Sequence, residues 1–227
     1  MVSHSRKQRR KLHAIPAAVA LIIFAVMWLS SHRTSADVLL SAGNFSAWEK
    51  DCRHCVIEPQ YDVLKGEIIR LETRMGEALI SAPFESEGLR PVLTWEWSAD
   101  EFSPDADTSL FRVSVGFEAA GGEEYLIHYV WQPGAGKDTR STLDTNEFVW
   151  TVAGKEQQAR RWYQVERDLT LDLEVLTGEA IEVTPVGLTA GLGDPSGRKV
   201  KAGGYLGNIA ISYLPEPTPT EPVATSD

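Results

Sequence analysis

Apolar and polar side chains alternate one by one through much of residues 92–213, and a two-residue period is what a strand with one buried face produces. Phe111, Val113, Val115 and Phe117 fall on one side, opposite Arg112, Ser114, Gly116 and Glu118. Leu93, Trp95 and Trp97 alternate in the same way. Tyr125, Ile127, Tyr129 and Trp131 share a face, but Leu126, His128 and Val130 opposite them are also largely apolar, which predicts a central strand buried on both sides. Further strands are expected at 68–75, 78–82, 147–152, 181–188 and 205–213, with turns at Gly76-Glu77, Gly121-Gly122, Pro133-Gly134, Gly154 and 193–197. Residues 169–176 fit a short helix better, capped by Asp168 and stopped by Gly178, although Leu169, Leu171, Leu173 and Val175 also alternate. Many short strands with barely one helix predict an all-β fold, a jelly-roll-like two-sheet β-sandwich. No internal repeat is visible.

The rest of the chain sets the boundaries. Residues 1–36 carry six basic residues and no acid, and within them 14–29 form sixteen uncharged positions, extended to eighteen by Ser30 and Ser31. A basic flank followed by an apolar run is the layout of an export segment, either an uncleaved signal anchor or a signal peptide cut after Thr34-Ser35-Ala36. The Pro-rich stretch 215–227 has nothing with which to pack a core. The expected organisation is therefore an N-terminal signal or anchor helix at 1–36, a sandwich at 37–214 and an extended tail at 215–227. Beyond residue 36 the charge is 16 basic residues against 32 acidic, a balance that repels phosphate backbones and excludes nucleic acid as a natural partner.

Cys52 and Cys55 are the two cysteines, spaced C-x-x-C. An exported chain makes a local disulfide the expected state. Haem attachment fails because Val56 stands where the motif needs histidine, and one such pair gives zinc only two ligands.

A series of short motifs then occurs in order: Val92 to Trp97 before an acidic loop, Arg112-Val113-Ser114-Val115-Gly116-Phe117, Tyr129-Val130-Trp131, Trp162 with Arg167-Asp168 and Asp172, and Gly203-Gly204-Tyr205-Leu206-Gly207-Asn208-Ile209. The series resembles domain of unknown function 3047, a family of exported bacterial proteins, across most of 44–214. The resemblance implies a jelly-roll-like sandwich related to carbohydrate-binding modules, without an established activity. One departure stands out. Where that family tends to carry an acidic, Asp/Thr/Asn-rich segment before its last strand, this chain reads Leu188-Thr189-Ala190-Gly191-Leu192-Gly193-Asp194, with Asp194 as its single carboxylate.

Familiar catalytic machinery is missing. The body keeps His54 and His128, H-E-x-x-H and G-x-S-x-G are absent, and Gly134-Ala135-Gly136-Lys137 lacks both the first glycine and the hydroxyl of a P-loop. Glu96 and Glu118 would flank a sugar only if their strands share a groove. Asp105 and Asp107 are weak calcium candidates in the loop before the Arg112 strand. Tryptophan gives the better lead, because indole stacks on the apolar face of a sugar ring. Trp97, Arg112, His128 and Trp131 are thus the candidate ligand-binding residues, each with a plain alternative: core packing for the indoles, an ion pair to Asp168 or Glu118 for Arg112, an interior hydrogen bond for His128. The expected protein is an exported, envelope-associated, non-catalytic binding module without cofactor. It would sit at the periplasmic face of the inner membrane on its N-terminal helix, or free in the periplasm or secreted if cleaved, and take a glycan or an envelope protein as partner. A carboxylate-dependent glycan hydrolase and a structural accessory of an envelope complex are the alternatives.

Overall fold

The computed structural model describes residues 36–52, 54–84, 90–100, 102–103 and 106–214. The expected N-terminal segment 1–35 and the tail 215–227 lie outside them. Thirteen strands build two sheets: β1 (Asp37–Leu40), β2 (Glu49–Cys52), β3 (Cys55–Asp62), β4 (Gly66–Gly76), β5 (Ala78–Pro83), β6 (Pro91–Ala99), β7 (Phe111–Ala119), β8 (Glu124–Trp131), β9 (Arg140–Asp144), β10 (Glu147–Ala153), β11 (Tyr163–Asp168), β12 (Val183–Leu192) and β13 (Val200–Tyr213). Sheet A runs β11-β6-β13-β4-β3, with β1 also on β13, and sheet B runs β2-β5-β12-β7-β8-β10-β9. The chain is a two-sheet β-sandwich with one α-helix among the described residues, α1 (Leu169–Thr177).

Alternation decides which residues enter the core. From sheet A come Ile69, Leu71, Leu93, Trp95, Trp97, Leu206, Ile209 and Ile211; from sheet B come Phe111, Val113, Val115, Ile127, Tyr129, Trp131, Leu188 and Ala190. Each such side chain larger than alanine contributes about 1.5–3 kcal/mol by leaving water. Strand β8 lies between β7 and β10 and buries His128 and Val130 on its other face, as its doubly apolar pattern requires. Its pairing with β10 is parallel because β9 takes the far edge of β10.

Sheet A changes partner along β13. One edge pairs with β6 from Gly204 to Tyr213. The other pairs with β4 up to Leu206↔Ile69, then with β1 at Ile209↔Leu40 and Ile211↔Asp37. The first residues of β4 and the turn before them therefore lie beside β1, at the end of the sheet where Asp37 and Tyr213 are found.

Helix α1 forms where its caps allow. The Asp168 carboxylate accepts from the Leu171 N–H at 3.1 Å, and Gly178 closes the helix in the left-handed region at φ 81°. Leu169 and Leu173 anchor it to the core. The Asp172 carboxylate, 3% exposed, accepts from Tyr129 Oη at 2.8 Å and from Arg167 Nε at 2.7 Å. Arg167 in turn lies 4.1 Å from the Trp150 ring centroid. A Cys52–Cys55 disulfide joins the end of β2 in sheet B to the start of β3 in sheet A.

Candidate functional site

Two of the four ligand-binding candidates are core residues. Trp97 and Trp131 are both 0% exposed. They point inward from β6 and β8, with ring centroids 6.1 Å apart, and Phe111 and Tyr163 complete the cluster at 5.8 Å from Trp97 and 5.3 Å from Trp131. Alternation carries them there: each shares a face with the apolar residues two positions away, so neither can meet a ligand.

Arg112 and His128 lie on the outer face of sheet B, and both are engaged. Arg112 Nη2 reaches Glu77 Oε1 at 3.2 Å, a partner contributed by the chain just before β5 in place of Asp168 or Glu118. His128 stands between two groups: Nδ1 is 2.7 Å from Ser114 Oγ and Nε2 is 2.8 Å from Glu147 Oε1. With Nε2–H donating to the carboxylate, Nδ1 accepts and the Ser114 hydroxyl donates. Burial lowers the His128 pKa below its ordinary value, and the Arg112 charge adds to this, against an opposing pull from Glu147. A Ser–His–Glu order is the residue set of a hydrolytic triad, but Ser114 and His128 are only 5% and 4% exposed. Both groups are buried in the outer layer of sheet B. The series instead fixes the Glu147 carboxylate at the edge of a cavity of about 580 Å³, also lined by Gly116, Glu124, Asp144 and Asn146.

The carboxylate pair is overturned, and of the calcium candidates Asp107 is engaged by Arg198. Glu96 sits on β6 of sheet A and Glu118 on β7 of sheet B, so the two point away from opposite sides of the sandwich. Asp105 lies outside the described residues. Asp107 Oδ2 accepts from Arg198 Nη1 at 3.1 Å, and Asp194 Oδ2 accepts from Arg198 Nη2 at 3.0 Å. A guanidinium thus occupies the place between the two carboxylates that a cation would need. Asp194 is 1% exposed and also accepts from the Ser109 and Ser196 N–H groups at 2.8 and 2.9 Å. Burial alone would raise its pKa, but the Ser196 hydroxyl, these N–H donors and Arg198 outweigh burial and lower it. Among the described residues no group of three or more His, Cys, Asp or Glu is placed to hold a metal ion.

The accessible aromatic surface lies elsewhere, on the outer face of sheet A. Trp162, just before β11, and Tyr205, on β13, are half-buried, with ring centroids 6.3 Å apart and planes tilted by 39°. Ala202, Leu206 and Ile209 of β13 point into the core, which turns Tyr205 outward. The cations of two ion pairs lie over the rings. Lys65 Nζ lies 5.6 Å from the Trp162 centroid and donates to Glu96 Oε1 at 2.8 Å. The Arg70 guanidinium lies 4.9 Å from the Tyr205 centroid and donates to Asp100 Oδ2 at 2.6 Å. Burial alone would lower the Arg70 pKa, but the Asp100 hydrogen bond and charge hold it above its ordinary value. Gly203 leaves room for this pair, because a Cβ there would stand 2.8 Å from Asp100 Oδ2 and 3.4 Å from Arg70 Nη2. The same face opens into a groove of about 910 Å³ lined by Arg70, Asp100, Phe102, Lys201 and Gly203. A tilted aromatic floor with fixed donors and acceptors at its margin suits a polar ligand that has apolar C–H faces.

Neither Trp162 nor Tyr205 is among the sequence-stated ligand candidates. The available signal was an aromatic residue on a strand whose neighbours are glycines: Gly203-Gly204-Tyr205-Leu206-Gly207.

No family model matches the chain, and no curated protein does. Solved structures with similar folds include TmCBM61 in complex with beta-1,4-galactotriose, at 8% identity and TM-score 0.35 over 74% of this chain and 88% of that one. The CBM22-1 xylan-binding domain from Paenibacillus barcinonensis Xyn10C matches at 10% identity and TM-score 0.40 over 78% and 95% of the two chains. TmCBM27, a carbohydrate-binding module that recognises mannan, matches at 10% identity and TM-score 0.31 over 79% and 96%.

Proposed function

We propose that this chain is a non-catalytic glycan-binding module whose site is the outer face of sheet A. One observation carries the reading: a half-buried tryptophan and tyrosine share that face, framed by Lys65–Glu96 and Arg70–Asp100, beside an open groove. The rings supply apolar surface where Lys65 and Arg70 leave it open, and the charged pairs supply hydrogen-bond partners for hydroxyls already held in place. The jelly-roll relation of the sandwich and membership of the exported family of domain of unknown function 3047 belong to the same proposal. So does location: residues 1–36 export the chain and hold it at the outer face of a bilayer. Among the described residues no helix is long and apolar enough to cross a membrane, and the apolar run 14–31 to which this proposal gives the role lies outside them.

The test is affinity electrophoresis and fluorescence titration against beta-1,4-galactan, xylan, mannan and peptidoglycan fragments. One of these ligands retards and quenches the protein saturably, and Trp162→Ala and Tyr205→Ala each weaken it about threefold to tenfold, the scale of about 0.5–1.5 kcal/mol per lost aromatic contact. Binding that survives both substitutions, or no binding across the panel, refutes the site.

A further inference from the structure

The most exposed large apolar side chains among the described residues are neighbours. Val63 is 89% exposed, Leu64 88% and Tyr61 71%, all in the hairpin between β3 and β4. Folded chains place single aliphatics on their surface freely, but three within four residues at a turn go beyond such scatter. The turn is a built one. Asp62 Oδ1 accepts from the N–H groups of Leu64 at 2.8 Å and Lys65 at 2.9 Å, and Gly66 completes the reversal at φ 78°. Its base is fixed as well, because Lys65 is tied to Glu96 and overlies Trp162. An ordered tip that presents valine and leucine to water, with tyrosine behind them, has the shape and chemistry of a wedge.

Position selects the occupant. Because β1 replaces β4 on the edge of β13 beyond Ile69↔Leu206, the hairpin tip and Asp37 lie at the same end of sheet A. Val38, 52% exposed, adds apolar surface at that end. Seven residues separate Asp37 from Leu29, the last residue of the apolar run, a reach of about 25 Å at full extension. A bilayer holding that run therefore stays within reach of the tip. Valine and leucine at the end of a convex tip offer no stacking surface to a sugar. It fits the headgroup–acyl boundary of a lipid leaflet, where valine and leucine enter hydrocarbon and tyrosine sits at the interface.

We infer that the β3–β4 hairpin tip, Tyr61, Val63 and Leu64, is a second membrane contact that docks the sandwich onto a phospholipid bilayer. The inference rests on the anchoring part of the proposed function. The tip and Asp37 share one end of sheet A, so it is this end of the sandwich that meets the bilayer.

Photo-crosslinking in liposomes of phosphatidylethanolamine and phosphatidylglycerol tests this on the full chain, with benzoylphenylalanine placed at Leu64 or at Leu21. Lipid adducts at both positions are expected, and Val63→Asp with Leu64→Asp should cut the lipid adducts of a probe at Tyr61 at least fivefold without changing the melting temperature. Adducts at Leu21 alone overturn the tip contact and leave the anchor standing. Adducts at neither position overturn both. A probe at Leu64 that captures protein, whether residues 1–35 or another chain, overturns the bilayer as occupant.

Discussion

Trp97 and Trp162 carry the same side chain and do opposite work. Trp97 is fully enclosed among Trp95, Phe111 and Trp131, so Trp97→Ala removes transfer energy and leaves a cavity, at a cost of about 3–5 kcal/mol. Trp162 stands half-open on a sheet face, and Trp162→Ala should change stability by no more than about 1 kcal/mol. Urea denaturation of the two variants checks this, and equal losses would show that Trp162 is structural. His128 makes a different prediction. Its folded pKa lies below the unfolded value of 6.5, so between the two the unfolded chain binds more protons. The contribution of His128 to stability is complete above pH 6.5 and is lost as pH falls from there towards the folded pKa. The slope reaches at most about 1.4 kcal/mol per pH unit, and His128→Gln should flatten it. Unfolding free energies from pH 8 to pH 5 decide the matter, and identical slopes in the two proteins would rule it out.

At the scale of elements, α1 depends on one buried carboxylate. Asp172→Ala leaves the Arg167 guanidinium and the Tyr129 hydroxyl without their partner in the interior, where such a loss costs about 3–5 kcal/mol. The expected fall in melting temperature is roughly 2–4 °C per kcal/mol, read by calorimetry. A loss no larger than that of a helix N-cap, about 1 kcal/mol, would show that the helix is held by Leu169 and Leu173 alone. The same contrast explains which elements were legible in the sequence. Strands β6, β7, β8 and β10 pack a face against the core, so their pattern announced them, and α1 carried both caps. Strands β2 and β9 are exposed throughout and β3 nearly so. They lie at or beside sheet edges and are held by backbone hydrogen bonds, which impose no alternation on side chains. The site was hidden for a related reason. Indoles on an inward register look like ligands-in-waiting until pairing shows which face is inward, whereas Trp162 precedes a strand whose own pattern is weak.

For the molecule as a whole, the two sheets divide the labour. Sheet B buries much of its outer face and devotes Ser114, His128 and Glu147 to one hydrogen-bonded series. Sheet A keeps its outer face open, and there the aromatic pair, the groove and the hairpin tip lie on one side. Its strand β13 has a mechanical consequence. Asp37 and Ile211 are cross-strand partners, so the first and last strands meet as antiparallel neighbours with their free ends together. A pull applied through both ends would open β1 from β13 like a zip, one residue pair at a time, instead of shearing all pairs at once. Low force then suffices to peel β1 away. If the chain bears load in its working setting, that load must enter at one end only, or through the hairpin, and bypass this seam.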